Sequence, residues 1–185
     1  MKNNTLQQNV RLTAIDPKEA QGHTKQLLDA VQQKLGLVPN LMRTLAHSPA
    51  ALEAYLQFSG TLSKGVLDAQ TREALALAVS QANQCQYCVS AHTLLGQKAG
   101  LSSAETLENR EASSTNPKTN AILKFAVLVV KSRGVVNDNE VESLRKAGAS
   151  EAEIAEIVAN IALNLYTNYF NLVANTVVDF PVIKL

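Results

Sequence analysis

The sequence predicts an all-α chain folded as one domain over residues 1–185. Three observations carry that expectation. Apolar residues recur at helical spacing, and no segment alternates apolar and polar long enough to claim a strand. Runs of β-branched residues are short. Helix-starting and helix-stopping residues punctuate the chain from Asp16 to Pro181. At 185 residues the chain can bury one sizeable core but is short for two ordinary domains.

The elements follow in order. Asp16-Pro17 opens a helix that runs to about Leu35 and stops at Gly36. Pro39 starts a short helix to about His47. Ser48-Pro49 starts another to about Lys64, and Gly65 breaks it. These helices make up an N-terminal section, residues 1–67. Asp68 caps a helix over 69–81, and Asn83-Gln84 makes a tight turn. A second helix runs from about Cys85 to Ala99 and ends at Gly100. Residues 68–100 thus read as a helical hairpin. Ser102 or Ser103 caps a short helix, and Ser113 to Asn116 is a polar loop. Pro117 restarts helix to about Ser132. Segments 137–146 and 150–178 complete a second hairpin and C-terminal helix, residues 116–180, with Pro181 beyond the end.

An internal repeat appears at an offset of 48 residues: residues 68–79 align with 116–127, and Lys98-Ala99-Gly100 falls on Lys146-Ala147-Gly148. What differs is informative. Glu73 falls on Ala121, Cys85 on Arg133, Cys88 on Val136 and His92 on Glu140. The second unit reads as a scaffold copy without the chemistry, expected to have no cleft of its own.

Composition narrows the function classes. With 17 basic and 16 acidic residues the net charge is +1, which gives no reason to expect nucleic acid or an anionic membrane as partner. There is no Trp and only 4% of residues are aromatic, so base-stacking platforms are not expected. The N-terminus is polar and has no apolar stretch of the kind an export signal needs. The expected location is therefore the cytoplasm, where a cysteine pair is more often catalytic or metal-binding than a structural staple. The last helix is uncharged from Ile157 to Val178, but Asn160, Asn164, Asn168, Asn171 and Asn175 fall within about 80 degrees of arc. Five amides in one lipid-facing span would be costly, so a membrane segment is not expected. The amides form either a solvated or amide-bonded stripe, or a polar seam at a subunit contact or beside the site. His23 reads as surface, and His47 as a helix-end residue.

The chemistry concentrates in Cys85-x-x-Cys88-x-x-x-His92, with Glu73 twelve residues upstream; these are the only two cysteines and one of only three histidines. On a helix Cys85, Cys88 and His92 lie within an arc of roughly 60 degrees. Cα atoms three apart are about 5 Å from one another, within disulfide range. Across the turn, Glu73 and His92 are level on antiparallel helices, each roughly 14 Å from the pivot. The helix start favours a thiolate. Other readings of the same residues are core packing of the cysteines and a zinc site of Cys85, Cys88, His92 and Glu73. A c-type haem site would need His where Val89 stands, and a thioredoxin-type pair would need a preceding strand.

At these residues the chain resembles the alkyl hydroperoxidase D-like (AhpD-like) proteins of the carboxymuconolactone decarboxylase superfamily. The motif is Glu73, eleven residues, Cys85-Gln86-Tyr87-Cys88, three residues, His92. The similarity extends over about 36–180, including Leu37-Val38-Pro39-Asn40 and Asn168-Tyr169-Phe170-Asn171. The resemblance implies an AhpD-like helical bundle assembled as a homo-oligomer. It implies that Cys88 is the peroxide-attacking thiolate, Cys85 the resolving thiol, and His92 with Glu73 a proton relay. The implied function is a thiol-dependent peroxidase that reduces a hydroperoxide and is regenerated by an external thiol or dithiol, with no metal or other cofactor. One departure stands out: well-studied peroxidase members carry a histidine between the cysteines where this chain has Tyr87. The decarboxylase branch lacks the cysteine pair. A redox-sensing or non-catalytic oligomer and a decarboxylase-type enzyme are the alternatives.

Overall fold

The computed structural model describes residues 9–185, and those residues form nine helices and no strands. In chain order they are α1 (Gly22–Leu35), α2 (Asn40–Leu45), α3 (Pro49–Leu62), α4 (Ala69–Ala82), α5 (Gln86–Lys98), α6 (Ser103–Arg110), α7 (Pro117–Ser132), α8 (Asp138–Lys146) and α9 (Glu151–Ala174). The polar N-terminus read for an export signal lies partly outside the described residues. No helix among the described residues is long and apolar enough to cross a membrane.

Helix α4 is the axis of the fold, packed against α5, α6, α7 and α9. Its run Ala74–Ser80 is buried on all sides, and alternating Ala74, Ala76 and Ala78 give four neighbours room to approach. Two apolar clusters result. One joins α4 to α7, α8 and α9 through Leu75, Ile122, Leu123, Leu144, Ile157 and Ile161. The other gathers the N-terminal helices around the head of α5, through Leu28, Leu41, Leu45 and Leu52. Truncating a fully buried leucine such as Leu75 to Ala should cost about 2–5 kcal/mol.

Two helix ends differ from the sequence-based expectation. α1 starts at Gly22, not Pro17, because the Asp16 carboxylate accepts the Lys18 N–H at 2.9 Å and closes a separate turn. α9 stops at Ala174 rather than 178. Asn175 takes a left-handed conformation (φ 49°) that Asn tolerates, and β-branched Thr176, Val177 and Val178 follow. The Arg11 guanidinium covers this end, donating to the Leu172 and Val173 carbonyls at 3.0 and 3.2 Å.

The 48-residue offset recurs in the capping. Asp68 and Asn116 both N-cap their helices through side-chain oxygens. The Leu101 N–H donates to the Gly96 carbonyl at 2.9 Å, and Ala149 to Leu144 at 3.2 Å. Gly100 and Gly148 both have positive φ, 105° and 93°. Ser102 with Glu105, and Ser150 with Glu153, form capping boxes. The recurrence reaches past the two hairpins into α6 and α9.

Candidate active site

The turn between α4 and α5 sets the site. α4 ends at Ala82, Gln84 adopts a left-handed conformation (φ 56°), and Cys85 is already the N-cap of α5. The Cys85 sulfur does what a serine oxygen does at an N-cap: it accepts the Cys88 N–H, at 3.4 Å. This puts Cys88 in the first turn, where backbone N–H groups and the helix dipole favour negative charge. Both cysteines are buried and both thiols are free.

Four groups set the charge state of Cys88. Burial pushes its thiol up. Against that act the hydrogen bond from Cys85, the charge of His92, and the amides of Asn171 and Asn168. The second set wins, and Cys88 is lowered to about 7. Cys85 moves the other way, raised first by its hydrogen bond to Cys88 and then by burial, so it stays a thiol and donates. Burial lowers His92, but the charge and hydrogen bond of Glu73 outweigh it, and the net shift is upward. A protonated His92 beside a thiolate Cys88 is the state these shifts favour.

The Glu73 carboxylate lies 2.8 Å from His92 Nδ1, with both side chains about one-fifth exposed. Gly96, one turn beyond His92, permits the approach of α5 to α4: a Cβ there would meet the Leu101 side chain at 3.1 Å and lie 3.7 Å from the Glu73 Cβ. With Nδ1–H given to Glu73, Nε2 is the ring nitrogen left for another partner. The expected Glu73–His92 contact is therefore present.

A cavity of about 330 Å³ opens over Cys88 and His92. Tyr55, Leu41, Ala91 and Leu95 give it a mainly apolar wall, and Asn171 stands beside the sulfur. Tyr55 is pushed up to about 12, first by burial and then by the charges of Cys88 and Glu73, so it stays a neutral phenol. The C-terminal segment closes one side. Asp179 accepts the Asn40 N–H at 2.7 Å, Ile183 N–H donates to Ser90 Oγ at 3.0 Å, and Phe180 packs edge-on against Tyr87 with centroids 5.5 Å apart. Tyr87 also lines this cavity. Its hydroxyl accepts the Leu41 N–H at 3.0 Å, so it ties α5 to α2.

Sequence reasoning did not assign Asn171 or Tyr55 to the site. Asn171 carried a signal, the amide stripe, and the structure resolves its two readings. Asn160, Asn164, Asn168 and Asn171 are buried and only Asn175, at the helix end, is half-buried, so most of the stripe is not solvated. Asn164 Nδ2 bonds back to the Asn160 carbonyl, and Asn168 joins Ser80 to Asn83 at the site turn. Asn171 Nδ2 donates to Cys88 Sγ at 3.3 Å. The end of the stripe formed by Asn168 and Asn171 lies beside the site. Of the other histidines, His23 pairs with Glu53 on the surface and His47 bonds the Thr13 carbonyl at 2.7 Å. Among the described residues, no three Cys, His, Asp or Glu side chains are grouped as a metal would need.

The second unit holds a surprise. A groove of about 310 Å³ lies between α7 and α8, bordered by Ala121 and Glu140, the counterparts of Glu73 and His92. The expectation of no cleft there is wrong. Ala121 is too short to reach across as Glu73 does, and Glu140 is turned onto the Asn137 N–H in a capping box.

The chain and its fold have counterparts among known proteins. Residues 49–113, which hold all four site residues, match the Carboxymuconolactone decarboxylase family model. An uncharacterised protein of Haemophilus influenzae is 47% identical over 45 residues, a segment spanning 24% of this chain and 40% of that protein's length. The structure superposes on an alkylhydroperoxidase AhpD core, a peroxidase-related protein from Ralstonia eutropha JMP134, with TM-score 0.80 and 29% identity over 92% of each chain. It also shares its fold with the debrominase Bmp8 in complex with 2,3,4-tribromopyrrole, at TM-score 0.78 and 21% identity over 92% of each chain. Residues 49–113 thus carry a match to the carboxymuconolactone decarboxylase family, in a chain with the all-helical AhpD-like fold.

Proposed function

We propose that the protein is a thiol-dependent peroxidase acting on organic hydroperoxides. The observation that carries the reading is a thiol lowered to about 7 at a helix start, with a Glu-paired histidine one turn away and an apolar cavity above. Cys88 gives its proton to His92, whose cation is held by Glu73. The thiolate attacks the hydroxyl-bearing oxygen of the substrate. The S–O bond forms as the O–O bond breaks, and the departing alkoxide takes the proton from His92 to leave as an alcohol. Cys85 then attacks the sulfenic sulfur. An S–S bond forms, and the hydroxyl leaves with the Cys85 proton as water. An external dithiol supplies two electrons and two protons to restore the pair. An exposed apolar row on the outer face of α9, Val158, Tyr166, Tyr169 and Val173, supports the homo-oligomer, which sedimentation velocity would register as a mass above 19.9 kDa.

The test is consumption of cumene hydroperoxide with dithiothreitol as reductant. Expected are steady turnover and, without reductant, loss of two hydrogens from the intact mass. Oxidation without turnover would overturn the enzyme reading in favour of a sensor. The apolar cavity also favours a second reading, reductive debromination of a small ring. There the dithiol becomes a disulfide as carbon–bromine is replaced by carbon–hydrogen and bromide leaves. Bromide release from a bromopyrrole separates the two.

A further inference from the structure

Asn171 makes one contact and lacks another. Its Nδ2 donates to the Cys88 sulfur at 3.3 Å. Its Oδ1 is buried and has no protein partner. Among the buried asparagines of α9, this is the only carboxamide oxygen in that condition. The residue is 3% exposed and lines the cavity over Cys88. An unsatisfied buried acceptor costs about 1–3 kcal/mol, and it is removed when a donor arrives. The amide cannot turn over to escape this. A thiolate has no proton to give, so the sulfur needs the N–H side, and Oδ1 is left for another molecule.

We infer that the Asn171 carboxamide positions the substrate: its Nδ2 fixes the Cys88 sulfur while its Oδ1 accepts a hydrogen bond from an O–H or N–H of the bound molecule. The inference rests on the thiol reading of the site and adds a requirement to it. A ligand must carry a donor on, or next to, the atom that Cys88 attacks, with an apolar remainder against Tyr55, Ala91 and Leu95. A hydroperoxide meets this, because its O–H sits on the oxygen that receives the sulfur. One planar amide then holds nucleophile and electrophile side by side. A dialkyl peroxide does not meet it.

The experiment needs no turnover. Binding of 2-phenyl-2-propanol to the reduced protein is measured by calorimetry against cumene and the alcohol's methyl ether, which lack the donor and bracket it in size. The alcohol should bind about 10- to 100-fold more tightly than either, and Asn171→Leu should erase the difference. In the same variant, the pH at which iodoacetamide alkylation of Cys88 is half-maximal should rise. Well above that pH, alkylation should match the wild type, while reaction with cumene hydroperoxide should fall by about tenfold or more. Equal affinity for the three ligands, no binding of the alcohol, or equal losses with both reagents would overturn the inference. Should Asn171→Leu not fold, the wild-type comparison still decides. If the wild type leaves hydroperoxide untouched but keeps the alcohol preference, the peroxidase reading fails and the role of Asn171 stands.

Discussion

Residues 68–110 and 116–174 use the same helix caps and differ in one turn. In the first unit a single left-handed residue, Gln84, separates the C-cap Asn83 from the N-cap Cys85. In the second, Arg133 and Gly134 are both left-handed, two more residues follow, and the next helix begins only after Asn137. The positions that hold Cys85 and Cys88 in the first unit therefore fall in a loop in the second. A cysteine pair placed at Arg133 and Val136 would lie outside a helix start and would have Glu140 in place of the His92 charge that helps lower Cys88. The difference teaches that the placement of Cys85 and Cys88 at a helix start depends on the tight turn as much as on the residue types.

The largest expected effect sharpens this contrast. Cys88→Ser should abolish alkylation, sulfenic acid formation and any peroxide consumption, since no other thiol lies in a lowered state. Val136→Ser, its counterpart, should leave all three intact. Loss of Cys88 oxidation in the Val136 variant at full folding would show that the two units are not chemically separate.

Next is the relay. Glu73→Gln and His92→Ala should each slow Cys88 oxidation by about 10²–10⁴-fold, and the double variant should lose much less than the product of the two. Ala121 and Glu140 substitutions should leave the rate unchanged. Stopped-flow kinetics on the four proteins settles whether the 2.8 Å contact acts as one unit. Cys85→Ser should spare the first step and stop the second, leaving a trappable sulfenic acid on Cys88. Preferential labelling of Cys85 in the Cys88→Ser protein would reverse the assigned roles.

Much of this was legible in the sequence, because the signals are local. Asp68, Asn116, Ser102 and Ser150 announce helix starts through side chains that bond residues two or three ahead. The Cys85-to-His92 spacing fixes a shared helix face, and a hairpin with a tight turn makes Glu73 level with His92. What stayed hidden depends on distant partners. Asn171 meets Cys88 across 83 residues, and Asn40 meets Asp179 across 139. The amide stripe showed which face of α9 is polar, but not what lies opposite. Tyr87 shows the converse limit. Its place in the motif suggests a relay, while its hydroxyl serves Leu41.

The pH dependence tests the electrostatics of the tight turn. Alkylation of Cys88 should rise with pH and be half-maximal near 7, against about 8.5 for an ordinary thiol. His92→Ala removes a cation that favours the thiolate, so its midpoint should move upward. The stability consequence has a definite sign. Below about 7 folded and unfolded chains both hold the Cys88 proton. Between about 7 and 8.5 the unfolded chain binds more protons, so stability should rise with pH across that window and level off above it. Urea titrations of wild type and Cys88→Ser should differ in slope only there.

The smallest effect is expected in the second turn. Arg133 is exposed and holds φ 56°, a conformation that costs a non-glycine residue about 1–2 kcal/mol. Arg133→Gly removes that strain but gives the unfolded chain more freedom, which offsets roughly 1 kcal/mol. The net change should lie between about 0 and 1 kcal/mol in favour of folding, with Cys88 alkylation unaltered. Gln84 has the same φ in the first unit, but it sits directly before the N-cap cysteine. Gln84→Gly should give a similar change in stability, while the added freedom loosens the Cys85 contact and shifts the Cys88 midpoint upward. If the two glycine variants leave that midpoint equally unmoved, the tight turn is not what distinguishes the reactive unit from its copy.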